Sequence, residues 1–235
     1  MFRRGGLFSG PWRFSIRAMH NFAQWSNFTG RDMLLLLACY GIGCCTAGFY
    51  WVRWRTGLDL RFLGSGNLGA RNVGRLAGPS GFTVTLIIDA SKGALAVGLA
   101  EYLGVPSEIV VAAIVAVVMG HNWPIQLRFH GGKGIATSLG ALLAYHGIIV
   151  VVLVALFIPL FVLLRNFTLS GLSAFALCPL VLFLYGTPNE QVAAISFIAI
   201  MILISHRKNI REEISRFFST TPIKNSPSHQ DENKP

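Results

Sequence analysis

Charged residues are scarce in this sequence. They make up 13% of its 235 residues, whereas 53% of the residues are hydrophobic. A soluble domain carries about 25% charged residues, so this chain has too few charges to cover a soluble surface. Intrinsic disorder requires few apolar residues and many charges, and the composition excludes it as well. The composition therefore predicts an integral membrane protein.

Several signatures of soluble enzymes are also missing. The four cysteines form no C-x-x-C pair and no Cys/His spacing suited to zinc, so we predict no metal site. No G-x-S-x-G nucleophile motif is present, and no histidine is followed by aspartate in the H-x-x-x-x-D pattern of common acyltransferases. The Gly-Gly-Lys-Gly at 131–134 is not a P-loop, because Leu127 stands where the first glycine is required and Gly134 where Ser or Thr should hold magnesium.

Uncharged runs predict the membrane spans. A hydrocarbon core of ~30 Å requires about 20 helical residues. The run Gly134–Leu164 is too long for one span, and Tyr145-His146-Gly147 in its middle predicts a tight turn, so we divide the run there. We expect an all-α fold with about seven transmembrane helices. The predicted spans are Met33–Val52, Phe82–Leu103, Ile109–Leu127, the two halves of Gly134–Leu164, Asn166–Asn189 and Gln191–Ser205.

The basic residues predict the orientation. Lys and Arg follow the first, third, fifth and seventh spans, and the opposite connections contain neither. This alternation places the N-terminus outside and the basic loops in the cytoplasm. Residues 1–31 disagree, because they carry five arginines; they form a short amphipathic piece on the interface, or the chain starts at Met19 or Met33. We predict a membrane domain over 32–211 and a polar, disordered cytoplasmic tail over 212–235.

Residues 64–75 form the first candidate site. The segment contains four glycines, two asparagines, a serine and two arginines. Glycines allow successive N–H groups to turn inward around an anion, and arginine supplies a fork of donors that matches phosphate. Gly, Ser and Asn are also ordinary loop residues. A simple connecting loop does not require two arginines interspersed among the glycines, so the residue types favour an anion site.

A second candidate site combines Gly120-His121-Asn122-Trp123-Pro124 with Gly131-Gly132-Lys133-Gly134. The second of these segments opens a predicted helix, so its free N–H groups, the positive end of the helix dipole and the ammonium group point at one place. That arrangement favours a phosphate. The pair His121-Asn122 either satisfies carbonyl groups at a helix end or takes part in the site directly, and both interpretations stay open.

Two further pairs of polar residues are candidates for a functional site. Asp89 and Lys92 lie three residues apart inside a span, where ionisable side chains mark a function or a buried pair. Lys92 either pairs with Asp89 alone or adds its charge to the anion site. His206 and Asn209 lie on one helical face after the last span and could reach into a site. Their basic neighbours are explained by anchoring at the cytoplasmic leaflet.

These blocks, taken together and in order, resemble a known family. They are Gly64–Arg75, Asp89-x-x-Lys92-Gly93, Gly120 through Gly134, and His206-Arg207-x-Asn209-Ile210, and the resemblance covers roughly residues 33–211. Each block is weak alone, but the four in combination are specific. The family is that of the bacterial acyl-phosphate:glycerol-3-phosphate acyltransferases (PlsY type).

The resemblance implies a seven-span enzyme of the bacterial inner membrane with its active site facing the cytoplasm. It implies transfer of a fatty acyl group from acyl phosphate to the 1-hydroxyl of glycerol 3-phosphate, giving lysophosphatidic acid and phosphate in phospholipid synthesis. The implied partners are acyl phosphate, glycerol 3-phosphate and membrane lipid, with no cofactor, metal or nucleic acid. The catalytic residues it implies are Ser65, Arg75, Lys133, His206 and Asn209. The substrate- and phosphate-binding residues are Gly64, Gly66, Asn67, Gly69, Arg71, Asn72, Lys92, His121, Asn122, Gly131, Gly132, Gly134, Ser138 and Thr168.

The sequence departs from the family at several positions. Arg71 stands where threonine is usual, and Glu212-Glu213 stand where the family often continues basic. These departures leave room for a divergent acyltransferase with another polyol-phosphate acceptor. The other hypotheses are a transporter for a small anion, with the glycine loops as re-entrant elements, and a scaffold that binds anionic lipid. Such transporters often show an internal repeat, and we find no convincing repeat here.

Overall fold

The computed structural model describes residues 28–218. Within this range the secondary structure is entirely helical, as expected for an all-α protein. The predicted amphipathic piece falls mostly, and the end of the predicted tail entirely, outside the described residues. The α-helices are α1 (Gly30–Cys44), α2 (Ala47–Thr56), α3 (Ala70–Tyr102), α4 (Ser107–Asn122), α5 (Ile135–Leu164), α6 (Phe167–Leu184), α7 (Asn189–Ser205) and α8 (Arg207–Phe218), with 3₁₀ turns at Leu60–Phe62 and Ile125–Leu127.

The chain is a multi-pass membrane protein. Among residues 28–218, five helical stretches are long and apolar enough to cross a bilayer. Helices α7 and α8 would supply a sixth span if they count together, and they meet at 64°. The five stretches are Gly30–Thr56, Ala70–Tyr102, Ser107–Leu127, Ile135–Leu164 and Phe167–Leu184.

The number of spans depends on how the helix breaks are counted. The turn that we predicted at 145–147 is present as a break at His146, with φ −160° and ψ 93°, which divides α5 into two helical halves. Helix α3 begins at Ala70, well before the span that we expected from Phe82, and it is broken at Gly78 ahead of Pro79. Proline has no N–H and cannot continue the helical hydrogen bonds, but it is compatible with the first turn of the following segment.

Helix α8 extends beyond the predicted start of the tail at residue 212. It runs to Phe218, so the first part of that segment is helical. The Asn166 Nδ2 atom donates to Glu213 Oε2 at 2.9 Å, which joins α8 to the start of α6. Asn166 also caps α6, because its Oδ1 accepts from the Leu169 N–H at 3.0 Å.

Two glycines bring α1 and α4 into close contact. A Cβ atom at Gly43 would overlap the Val117 carbonyl oxygen, and one at Gly120 would overlap the Tyr40 carbonyl oxygen. The Tyr40 hydroxyl also donates to the Trp123 carbonyl oxygen at 2.7 Å. Small residues allow this approach of backbones between membrane helices. The contact fixes the end of α4, which is where the second candidate site begins.

The close contact predicts the effect of an added methyl group. We expect Gly43→Ala to lower the free energy of unfolding by about 1–3 kcal/mol, the usual cost of overpacking. Gly41→Ala is the matched control, because it lies on the same helix and a Cβ there meets nothing within 4 Å. Thermal unfolding in detergent measures both. Equal midpoints for the two variants would contradict the packing.

Helices α3 and α5 also cross through small residues. A Cβ at Gly93 would overlap the Thr137 carbonyl oxygen, and one at Gly140 would overlap the Ala90 carbonyl oxygen. This crossing places the first turn of α5 beside Gly93 of α3. The glycine-rich loop before α5 is therefore held against the middle of α3.

Candidate active site

One buried asparagine shapes the loop before α3. The Oδ1 atom of Asn72 accepts from the Ser65 N–H at 3.0 Å. Its Nδ2 atom donates to the carbonyl oxygens of Leu63 and Asn67, both at 3.0 Å. Gly64 has φ 57°, and a Cβ there would overlap Asn72 Oδ1. Asn72 was predicted to bind phosphate, but both of its N–H donors are used by the loop, so its role is to set the loop's shape.

The same loop presents its remaining polar groups outward. Ser65 is exposed beside Gly66, whose φ of 69° is accessible mainly to glycine. Gly69 is the N-cap of α3 and carries no capping side chain, so the first N–H groups of that helix have no side-chain acceptor there. The positive end of α3 therefore lies next to Ser65, as an anion site requires.

Two arginines follow in the first turns of α3. Arg71 and Arg75 are both exposed and lie four residues apart, on one face of the helix. The Arg71 Nη1 atom donates to Thr168 Oγ1 at 2.9 Å, and its guanidinium lies 5.8 Å from the centre of the Phe167 ring. Arg71 thus joins the start of α3 to the start of α6.

The glycine-rich loop folds back on the end of α4. The Gly131 N–H donates to the Asn122 carbonyl oxygen at 3.1 Å, and the Gly132 N–H donates to the His121 carbonyl oxygen at 3.0 Å. These two N–H groups were predicted to bind phosphate, but they cap the carbonyl groups of α4 instead. Gly134, with φ 83°, then turns the chain into α5. The N–H groups of the first turn of α5 have no capping side chain, as an anion site would require.

Lys133 joins the glycine-rich loop to α8. Its Nζ atom donates to Asn209 Oδ1. Partial burial lowers the pKa of the Lys133 ammonium below its ordinary value, while the charge of Glu212 raises this pKa and that of Arg71 lowers it. Residues from the start of α3, the glycine-rich loop and α8 therefore act on one another at this point. The cation cluster is our name for the cations Arg71 and Lys133 together with the uncharged His206 and Asn209 beside them.

His206 is buried at the junction of α7 and α8. Its Nδ1 lies 2.8 Å from the Ile202 carbonyl oxygen. A carbonyl oxygen only accepts, so Nδ1 carries the proton and, in the neutral ring, Nε2 has the free lone pair. The imidazole is thereby oriented as a base.

Four predicted binding residues with polar side chains, besides Asn72, lie inside the protein. Lys92 and His121 are 5% and 3% exposed, and the Lys92 Nζ atom donates to His121 Nδ1, so these two predicted residues contact each other. Ser138 is fully buried where α5 meets α3. Asn122 is also buried, and its Nδ2 donates to Ser205 Oγ at 2.9 Å.

Sequence reasoning missed several contributors. Phe167 under Arg71, Ser205 on Asn122 and Glu212 near Lys133 carry no motif signal, because each acts through a neighbour far away in the chain. In the sequence, the glutamate pair of α8 is only a departure from the family pattern. In the part of the chain that the structure describes, no three His, Cys, Asp or Glu side chains are grouped as metal ligands would be.

Comparison with known proteins gives consistent matches. A family model described as glycerol-3-phosphate acyltransferase matches residues 33–216. The chain is 40% identical to a protein named glycerol-3-phosphate acyltransferase 1 from Desulfitobacterium hafniense, over 186 residues that cover 79% of this chain and 92% of the relative. A protein of the same name from Bacillus cereus is also 40% identical, over 75% of this chain and 97% of the relative.

The fold is similar to two solved structures of PlsY, an integral membrane glycerol 3-phosphate acyltransferase. The glycerol 3-phosphate form superposes with a TM-score of 0.72 at 30% identity, covering 80% of this chain and 94% of the other. The lysophosphatidic acid form gives a TM-score of 0.70 at 28% identity, covering 80% and 93%.

Proposed function

The chain belongs to the glycerol-3-phosphate acyltransferase family, and from that premise we propose that it acylates the 1-hydroxyl of glycerol 3-phosphate with acyl phosphate as the donor. The enzyme class and the acceptor follow from the family, while the donor is our inference. The observation that supports this reaction is the cation cluster. In it, the Lys133 ammonium group donates to Asn209 and is close enough to Arg71 to be affected by its charge. Both proposed substrates carry a phosphate group, and such a cluster neutralises phosphate.

The chemistry requires no covalent enzyme intermediate. Acyl phosphate is an activated mixed anhydride, so the acceptor hydroxyl oxygen attacks the acyl carbon directly. The new ester C–O bond forms, the acyl–phosphate C–O bond breaks, and inorganic phosphate leaves. The tasks of the protein are to align the hydroxyl group and to stabilise the departing phosphate. Lys133, Arg71, Arg75 and the first turn of α5 do this by charge and by N–H donors.

The hydroxyl proton must move to an acceptor during the attack. We assign it to an oxygen of a substrate phosphate, with His206 Nε2 as the alternative within the protein. The Nδ1–Ile202 hydrogen bond supports that alternative, because it leaves Nε2 free to accept. Ser65, exposed in the loop before α3, is placed to hold a phosphate or hydroxyl oxygen.

We place the enzyme in the bacterial inner membrane with the cation cluster facing the cytoplasm. Basic side chains support this orientation, because Arg75, Arg165 and Lys208 are all exposed in the segments next to the cluster. The acyl chain then lies among apolar helix faces. A cytoplasmic site receives soluble glycerol 3-phosphate and releases its lipid product directly into the bilayer.

One assay tests the proposed reaction. Purified protein is given glycerol 3-phosphate with acyl phosphate, acyl-CoA or acyl-carrier protein, and lysophosphatidic acid and inorganic phosphate are measured. We expect turnover with acyl phosphate alone. Turnover only with a thioester donor would overturn the donor assignment, and turnover only with another polyol phosphate would replace the acceptor. Anion uptake into vesicles without acyl transfer would favour the transporter.

The position of Arg71 predicts a shift in pH dependence. Lys133 acts as a cation, so activity falls as the pH rises through its pKa, which burial and Arg71 hold below the ordinary value. Removing the arginine charge raises the pKa of Lys133, so Arg71→Gln should move the alkaline limb of kcat/KM to higher pH. Arg55→Gln is the control, because it removes the same charge from an arginine that contacts the Trp51 ring, at 5.7 Å, and is not part of the cation cluster. An unmoved limb in Arg71→Gln would contradict the coupling.

A further inference from the structure

A buried polar network lies behind the glycine-rich loop and takes no part in the chemistry described above. The Lys92 Nζ atom lies 2.8 Å from Asp89 Oδ1, 2.8 Å from His121 Nδ1 and 3.0 Å from the Cys45 carbonyl oxygen. The side chains of Lys92 and Asp89 are 4% and 2% exposed. An ion pair at this depth costs several kcal/mol of desolvation per ion unless its hydrogen bonds are complete.

Three acceptors surround the Lys92 ammonium group. An ammonium group has three N–H donors and no acceptor. The Lys92 Nζ atom donates to the Cys45 carbonyl oxygen and to His121 Nδ1, and it forms an ion pair with the Asp89 carboxylate. The accepting Nδ1 also fixes His121 as the neutral tautomer that is protonated on Nε2.

His121 contacts the glycine-rich loop with both its ring and its main chain. Its carbonyl oxygen accepts from the Gly132 N–H at 3.0 Å. A Cβ atom on Gly132 would overlap the Nε2 atom of the ring. The imidazole therefore lies directly against the residue that precedes Lys133, and its orientation is set from the other side by Lys92.

We propose that Asp89, Lys92 and His121 are positioning residues that hold Gly132, and through it Lys133, at the phosphate site. This inference rests on the proposed role of Lys133 in binding phosphate. Asp89 fixes Lys92, Lys92 fixes the His121 ring, and the ring and its carbonyl group fix the loop. The network carries no net charge to the substrate, because the ion pair is balanced and the histidine is neutral. Its effect on the reaction is geometric.

The first test uses two substitutions of His121 and inorganic phosphate as the probe. His121→Leu leaves Lys92 one acceptor short, whereas His121→Asn keeps an acceptor oxygen at the position of Nδ1. We expect the inhibition constant of inorganic phosphate against acyl transfer to rise about tenfold in His121→Leu, a loss of about 1.4 kcal/mol of binding. In His121→Asn most of that loss should be recovered. The KM for glycerol 3-phosphate should follow the same order.

A purely structural role gives a different result. If His121→Leu lowers the thermal midpoint while the inhibition constant stays within about twofold of the wild type, the proposal is wrong. If the wild-type protein itself shows no acyl transfer, the proposed function fails, and that failure is separate from this one. In that case phosphate binding by calorimetry still tests the network.

A second substitution keeps the test available if His121→Leu does not fold. Gly132→Ala inserts a methyl group against the His121 ring without disturbing the ion pair. We expect it to raise the inhibition constant of phosphate by roughly tenfold or more, comparable to the loss in His121→Leu. Gly98→Ala is the matched control, because a Cβ there meets nothing within 4 Å. An unchanged constant in Gly132→Ala would overturn the proposal.

Discussion

Lys133→Met should lower kcat for acyl transfer on the order of 10²- to 10³-fold, the usual loss when one preorganised charge or donor is removed from a reacting oxyanion. Methionine keeps the apolar stem of the side chain and removes only the ammonium group. That group meets Asn209 in a half-buried place, where charge is screened less than in water. Steady-state kinetics with acyl phosphate measure the loss.

The control for this substitution is Lys208→Met. Lys208 is exposed on the neighbouring helix α8, so the two variants remove the same charge in the same region. We expect the control to keep its turnover, because an exposed lysine in water contributes little beyond anchoring. Similar rates for the two variants would show that Lys133 has no special role, and the assignment of the cation cluster would have to be abandoned.

Asn72→Asp is expected to have the second largest effect. The substitution preserves shape but replaces the Nδ2 donor by an oxygen, which then faces the carbonyl oxygens of Leu63 and Asn67. Each buried carbonyl group left without its donor costs about 1–3 kcal/mol, and the repulsion adds to that cost. The loop that carries Ser65 should lose its shape. We expect kcat/KM to fall roughly 10- to 100-fold, together with a lower thermal midpoint.

The matched control is Asn189→Asp. Asn189 is exposed at the first position of α7, where a negative charge is favourable at a helix N-terminus. This variant should keep both its activity and its thermal midpoint. If Asn72→Asp behaved in the same way, the loop would not depend on Asn72, and the phosphate site before α3 would need another explanation.

The sequence predicted the membrane class and the residue types of the site because both are local. A run without charge has few stable environments other than a bilayer, and glycines phased with basic residues are suited to anions. The break at His146 was also predictable from a run too long for one span. The start of α3 was not, because Pro79 interrupts the helix without ending it.

The sequence could not show which acceptor each hydrogen-bond donor contacts. The N–H groups of Gly131 and Gly132 donate to carbonyl groups of α4, and the Lys92 ammonium group donates to Cys45 and His121 and pairs with Asp89. By residue type alone, Gly131, Gly132 and Lys92 matched a phosphate site as well as Lys133 did. The neighbours that consume these donors come from helices brought together by packing, which a motif does not contain.

The sequence by itself determined that this is a membrane protein of the glycerol-3-phosphate acyltransferase type with basic, glycine-rich loops. Only the tertiary structure decided which basic groups remain available to a substrate. A hydrogen-bond donor serves a fixed number of partners, and partners such as Thr168 for Arg71 and Asn209 for Lys133 lie far away in the chain. Packing of the helices thus left Lys133 half-buried beside Asn209, where we propose that it binds phosphate, and buried Lys92.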